Sequence, residues 1–91
     1  MNTHHVGIIG AGIMGERMLR AALDQAPDVV RVAAIWDPSP TALARIGSAA
    51  PHAASAEALI ASADCIYIAS PPASHLPYAQ AALAAGKAAF C

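Results

Sequence analysis

The stretch Val6-Gly7-Ile8-Ile9-Gly10-Ala11-Gly12-Ile13-Met14-Gly15, near the start of a 91-residue chain, decides how the rest is read. Residues 5 to 9 are apolar and largely β-branched, which suits a buried strand. A G-x-G-x-x-G follows that strand at once. From Ile13 to about Gln25 the pattern turns helical. Met14, Met18 and Ala22 recur at four-residue spacing with Ala21 beside them, and Glu16, Arg17, Arg20 and Asp24 can face water. Pro27-Asp28 ends this helix.

Strand, glycine turn and helix form the context in which this fingerprint has a physical rationale. Gly10 permits the tight turn, Gly12 leaves room for a pyrophosphate, and Gly15 lets the helix approach the strand. The first free amides of the helix, at Ile13 and Met14, then bind phosphate with the positive end of the helix dipole behind them. The bland alternative is a glycine-rich turn with no ligand.

Working outward, short apolar runs alternate with helical patterns. Residues 29–36 read as a second strand closed by Asp37-Pro38, and residues 41–46 as a short helix. A very short third strand is expected near residues 52–54. Ser55 is placed to cap a helix through Ala58, Leu59 and Ala61. Residues 65–69 form a fourth strand. Ser74 is expected to cap a helix running to Ala85, with Pro77 in its first turn, Leu76, Ala79 and Leu83 facing inward, and Gly86 at its C-terminal end. Residues 88–91 begin a fifth strand. Near-continuous apolar strands separated by helices indicate a parallel sheet covered on both faces, with right-handed crossovers. The expected fold is a three-layer, doubly wound α/β Rossmann-like domain of about five strands over residues 1–91, incomplete at its end.

Composition mostly excludes. Hydrophobic residues make up 57% of the chain, but 25 of them are alanine, so the supply of large apolar side chains is that of one small domain. Five basic residues scattered singly, with a net charge of −1, leave no basic face for nucleic acid. The longest uncharged stretch, residues 65–86, contains three prolines, His75 and Gln80, so no membrane span is expected. No signal peptide is visible. Cys65 and Cys91 fall in apolar runs and read as two small buried thiols of a cytoplasmic protein. Neither a disulfide framework nor a metal site is expected from them.

Asp37 stands at the end of the second strand, 22 residues beyond Gly15, close to the spacing of about 20 at which an acid meets the adenosine ribose. A carboxylate there accepts from both ribose hydroxyls and repels a 2′-phosphate. Pro38, Ser39 and Pro40 follow, with no arginine to welcome that phosphate, so NAD is favoured over NADP. Asp37 could instead serve only as the N-cap of the next helix. Ser70-Pro71-Pro72-Ala73-Ser74-His75 follows the fourth strand, at the point where strand order reverses and ligands lie in open α/β sheets. Its carbonyls and the Ser70 hydroxyl would line the nicotinamide-ribose region. Pro-Pro would equally serve just to end a strand, and His75 would equally serve to hydrogen-bond a loop carbonyl.

Together, residues 6–15, Ile35-Trp36-Asp37-Pro38, Asp64 to His75, and Ala85-Gly86-Lys87-Ala88-Ala89-Phe90-Cys91 resemble the N-terminal domain of the Gfo/Idh/MocA oxidoreductases in four landmarks across the chain. The resemblance implies that residues 70–75 match the family's small-Pro-x-x-x-His segment near the nicotinamide, which makes Ser70, Pro71 and His75 cofactor-pocket residues beside Gly10, Gly12, Ile13, Met14, Gly15 and Asp37. It implies a homo-oligomeric parent enzyme that moves hydride between NAD and a secondary hydroxyl of a sugar, cyclitol or similar polyol. Family members continue with Glu-Lys-Pro, whose lysine is implicated in proton transfer. This chain ends at Cys91, where that motif would begin, so no catalytic residue is assigned. The expectation is a dinucleotide-binding portion, inactive alone, lacking the substrate domain and prone to self-association at its last strand. The alternative is a non-catalytic nucleotide-binding or regulatory module.

Overall fold

The computed structural model describes residues 4–25 and 29–91. It contains β1 (His4–Ile9), α1 (Ile13–Gln25), β2 (Val30–Trp36), α2 (Pro40–Ile46), α3 (Ala56–Ser62), β3 (Cys65–Ile68), α4 (His75–Ala84) and β4 (Ala88–Phe90), with 3₁₀ turns at Gly47–Ala49 and Pro72–Ser74. All four strands are parallel, in the order β2-β1-β3-β4. The chain thus winds outward from β1 first to one side and then to the other, and the order reverses between β1 and β3. The end of α1 assigned to Pro27-Asp28 lies outside the described residues.

Alternation along β1 explains why the sheet needs both layers. Ile8 belongs to a core with Leu19 and Ala22 of α1, Ile46 of α2, and Val32 and Ile35 of β2. Ile9 points the other way, into a core with Leu59 and Ile60 of α3, Ala82 of α4, and Ile66 and Ile68 of β3. Ile8, Ile9, Leu19, Leu59 and Ile66 are each fully buried, and each contributes about 1.5–3 kcal/mol of burial free energy. Helices α1 and α2 cover one face and α3 and α4 the other, so the fold is a three-layer, Rossmann-like α/β sandwich.

Several expectations change. Among the described residues the sheet has four strands where about five are expected: residues 52–54 make only an isolated bridge, His52 to Ile35. Pro51 can accept from Ile35 N–H (2.9 Å) but has no N–H to give, and Ser55 already starts α3, so no ladder can grow there. The buried stripe of α1 is Gly15, Leu19 and Ala22, one residue on from Met14 and Met18. Gly15 must face the end of β1, and that contact sets the rotation of the helix. In α4, Ala82 is buried and Tyr78 and Ala79 pack beneath it, whereas Leu76 and Leu83 are 65% and 63% exposed. Small residues let α4 lie close to the sheet, leaving both leucines on its outer side.

The caps divide similarly. Ser55 accepts from Ala58 N–H at 3.0 Å, as expected. Ser39 caps α2 by accepting from Ala42 N–H at 3.3 Å. Ser74 does not cap α4; its hydroxyl turns back into the loop before it. Gly86, with φ +77°, closes α4 by donating to Leu83 C=O at 3.0 Å. Neither thiol is fully buried. Cys91 is exposed, and Cys65 borders an open apolar groove with Val6, Met18, Tyr67 and Phe90, where partial burial, and secondarily Asp64, push its pKa up. No helix of the described residues is long and apolar enough to cross a membrane.

Candidate functional site

The glycine loop and the loop after β3 meet at the reversal of strand order. Gly10 N–H donates to Trp36 C=O of β2 at 2.7 Å, and Ala69 N–H donates to Ile9 C=O at 2.8 Å, so the end of β1 is held from both sides. Gly10 then turns with φ +108°, and any Cβ there would stand 2.7 Å from Ser70 N. Only glycine satisfies both the dihedral and the approach. Gly15 packs behind it, so close that a Cβ would overlap Gly10 O.

Gly12 is the contrast. A Cβ on Gly12 would meet no atom within 4 Å, because its open side faces a cleft of about 650 Å³. The cleft is lined by Gly10, Gly12, Ile13, Met14, Asp37, Ser70 and Pro71, with Pro38, Ala69, Pro72, Ser74 and Tyr78. Seven of the nine residues singled out from the sequence therefore share one cleft. Gly15 supports it from below. His75 does not line it: its Nε2 lies 2.6 Å from the carbonyl of Ser70. Since a carbonyl only accepts, Nε2 carries the proton, and His75 braces the loop.

The rest of that loop is also tied down. Ser74 Oγ lies 2.7 Å from both Pro71 C=O and Ser70 Oγ. The Ser74 proton goes to the carbonyl, so the Ser70 hydroxyl donates to Ser74 and keeps acceptor capacity for a ligand. Tyr78 forms a wall of the cleft and stands edge-on to Trp36, ring centroids 6.3 Å apart at 80°.

Asp37 uses both carboxylate oxygens on backbone amides. Oδ2 accepts from Ala11 N–H and Oδ1 from Ser39 N–H, each at 2.8 Å. It is thus not the cap of α2, a role taken by Ser39. Each oxygen retains a lone pair, so the carboxylate can still accept from a hydroxyl in the cleft. Two contributors escaped the sequence reading. Tyr78 lies one helical turn beyond the Ser70–His75 segment, and Arg45 of α2 donates from Nη2 to Ala11 C=O at 3.1 Å. Nothing in one dimension links residue 45 to residue 11.

A dinucleotide fits what is present. Among the described residues, no protein group accepts from the amides of Gly12, Ile13 or Met14. Those amides open α1 beside the unobstructed face of Gly12, where an anion finds donors and a helix dipole. Fold and cleft together define a dinucleotide-binding domain of the Rossmann class. The family model for the Gfo/Idh/MocA oxidoreductases, an oxidoreductase family with an NAD-binding Rossmann fold, matches residues 4–91, and the chain belongs to that family.

Solved structures agree on the fold. An NAD-binding protein from Listeria innocua superposes with a TM-score of 0.86 at 27% identity, over 97% of this chain and 26% of that one. A biliverdin reductase from Synechocystis sp. PCC 6803, in complex with biliverdin and NADP+, gives 0.84 at 27% identity, over 93% and 28%. Scyllo-inositol dehydrogenase from Lactobacillus casei, with bound NAD(H) and scyllo-inositol, gives 0.83 at 24% identity, over 98% and 27%. The chain thus spans little more than a quarter of the proteins it superposes on. A search of curated proteins found no match.

Proposed function

We propose that these residues form the cofactor-binding part of an NAD-linked dehydrogenase. In this reading the pyrophosphate lies over Gly12 against the amides of Ile13 and Met14. Asp37 accepts from the adenosine ribose, and Ser70 and Pro71 flank the nicotinamide ribose. Gly10, Gly15 and His75 keep the two loops in place. The cofactor, when bound, supplies hydride chemistry at its nicotinamide ring. The observation that carries the reading is the open face of Gly12 beside unpartnered amides, within reach of the acid ending β2.

NAD is preferred to NADP because Asp37 carries negative charge where a 2′-phosphate would sit, and Pro38-Ser39-Pro40 offers no cation. The substrate class is a secondary hydroxyl of a sugar, cyclitol or similar polyol, supported by the inositol dehydrogenase among the structural neighbours. Substrate contacts, catalysis and homo-oligomer contacts come from outside these 91 residues, so they turn over no substrate alone. The working compartment is the cytoplasm. Calorimetric titration with NAD and with NADP tests the reading. Binding of NAD tighter than NADP is expected. A folded sample that binds neither would overturn it, and tighter NADP binding would overturn the role of Asp37.

A further inference from the structure

Ala11 is held at both ends of its backbone. Its N–H donates to Asp37 Oδ2 at 2.8 Å, and its carbonyl accepts from Arg45 Nη2 at 3.1 Å. Its methyl group is fully buried in the core with Ile8, Leu19 and Ile46, and side chains take both of its backbone polar groups. Arg45 sits in the last turn of the seven-residue α2, and its guanidinium reaches back to the glycine loop. A guanidinium–carbonyl bond is charge-assisted and stronger than a neutral one. The peptide after Ala11 is trans, so its carbonyl and the N–H of Gly12 point in opposite directions. Holding Ala11 C=O toward α2 therefore fixes where the Gly12 N–H points, on the side away from Arg45.

We propose that Arg45 is a positioning residue for the glycine loop: by anchoring the Ala11 carbonyl it presets the Gly12 amide, and the helix start behind it, to receive a pyrophosphate. The proposal rests on the dinucleotide reading of the cleft. It adds that loop order depends on a cation from α2, 34 residues away in sequence. Asp37 and Arg45 hold opposite ends of the Ala11 backbone: the carboxylate takes the N–H, and the guanidinium takes the carbonyl whose peptide carries the Gly12 N–H.

The test uses Arg45→Met, which keeps the apolar stem, and Arg45→Lys, which keeps the charge, in the full ¹⁵N-labelled chain. Without ligand, Arg45→Met should shift the Gly12 and Ile13 amide signals and speed their hydrogen exchange, while Gly86 on the far side of the sheet stays unchanged. In NMR titrations it should weaken ADP and NAD by the same factor, about tenfold, as expected for losing one charge-assisted contact that orders the loop. Adenosine, which has no pyrophosphate, should bind as before, and Arg45→Lys should recover part of the loss. Equal weakening of adenosine, or an unmoved Gly12 signal, would overturn the proposal. Selective loss of 2′,5′-ADP would overturn it in favour of a 2′-phosphate reader. If neither variant folds, the unaltered chain decides: slowly exchanging Arg45 Nη protons support the anchor, and a freely rotating guanidinium overturns it. Failure of the unaltered chain to bind ADP or NAD would instead sink the dinucleotide reading, while the ligand-free amide comparison still judges Arg45.

Discussion

Gly15 stands against the carbonyl of Gly10 so closely that no side chain fits between them, whereas Gly12, three residues earlier, faces open space. The two glycines of one motif therefore do different work, one in packing and one in binding. Gly15→Ala forces α1 away from β1, and overpacking of this kind costs about 1–3 kcal/mol or more. Thermal unfolding should fall by at least about 5 °C, given roughly 4–8 °C per kcal/mol in a domain this small. Gly12→Ala should leave the melting temperature within about 2 °C, as for a change that strains no contact. It should nevertheless weaken NAD by about tenfold or more, by putting a methyl where the pyrophosphate sits. Equal effects of both substitutions on stability would contradict this division.

Asp37 carries two loads, which a pair of substitutions separates. Asp37→Asn keeps one acceptor oxygen for Ala11 or Ser39 but removes the charge, and Asp37→Ala removes both. Hydrogen bonds to charged groups contribute about 1.5–3 kcal/mol, so Asp37→Ala should weaken NAD by roughly ten- to a hundredfold. Both variants should raise NADP affinity relative to NAD, because the repulsion is gone. Calorimetric Kd ratios decide this, and an unchanged ratio would remove Asp37 from cofactor choice.

At the opposite end of the sheet, Asp64 Oδ2 accepts from the backbone N–H of His5 at 3.1 Å and lies 3.3 Å from His5 Nδ1. The backbone bond first, and the side-chain bond second, hold the Asp64 carboxyl below its ordinary value. A depressed folded-state pKa means the stabilisation is present above the unfolded value of about 3.9 and fades as pH falls through the folded one. Asp64→Asn should therefore flatten the decline of melting temperature below about pH 4, where the unfolded chain begins to take up the proton. The exposure of the pair keeps the effect small. An acid limb identical to that of the unaltered chain would remove this group from the linkage.

The two thiols should separate by accessibility. Cys91 is exposed, whereas Cys65 is partly covered and its thiol is disfavoured as thiolate. Alkylation at pH 8 followed by peptide mapping should show Cys91 modified first, with Cys65 lagging clearly behind. Equal rates would show that Cys65 is no better shielded than the exposed Cys91.

Strand β4 has only three residues, and Phe90 on it is 57% exposed beside the apolar groove. Exposed apolar side chains on an unpaired sheet edge invite association. Sedimentation velocity should show concentration-dependent association that Phe90→Lys relieves. A monomer across the whole series would contradict it.

What the amino-acid order determined by itself is the local grammar: the β-branched run into Gly10, the helix after Gly12, the caps at Ser55 and Gly86, and the acid closing β2. These features depend on neighbours within a few residues, where spacing and backbone preference are decisive. The family landmarks are of the same kind, but that seven of the nine residues they mark line one cleft follows from the strand order, which brings the glycine loop and the loop after β3 together. Tertiary structure alone decided the rest. Which face of α1 is buried depends on Gly15 meeting Gly10, and α4 turns its alanines inward because the sheet admits only a close, small-residue contact. Whether residues 52–54 form a strand depends on donors that Pro51 lacks. Arg45 acquires its role only when α2 folds beside the glycine loop, since a hydrogen bond between residues 11 and 45 follows from the chain's path through space and leaves no periodic trace in the order of its residues.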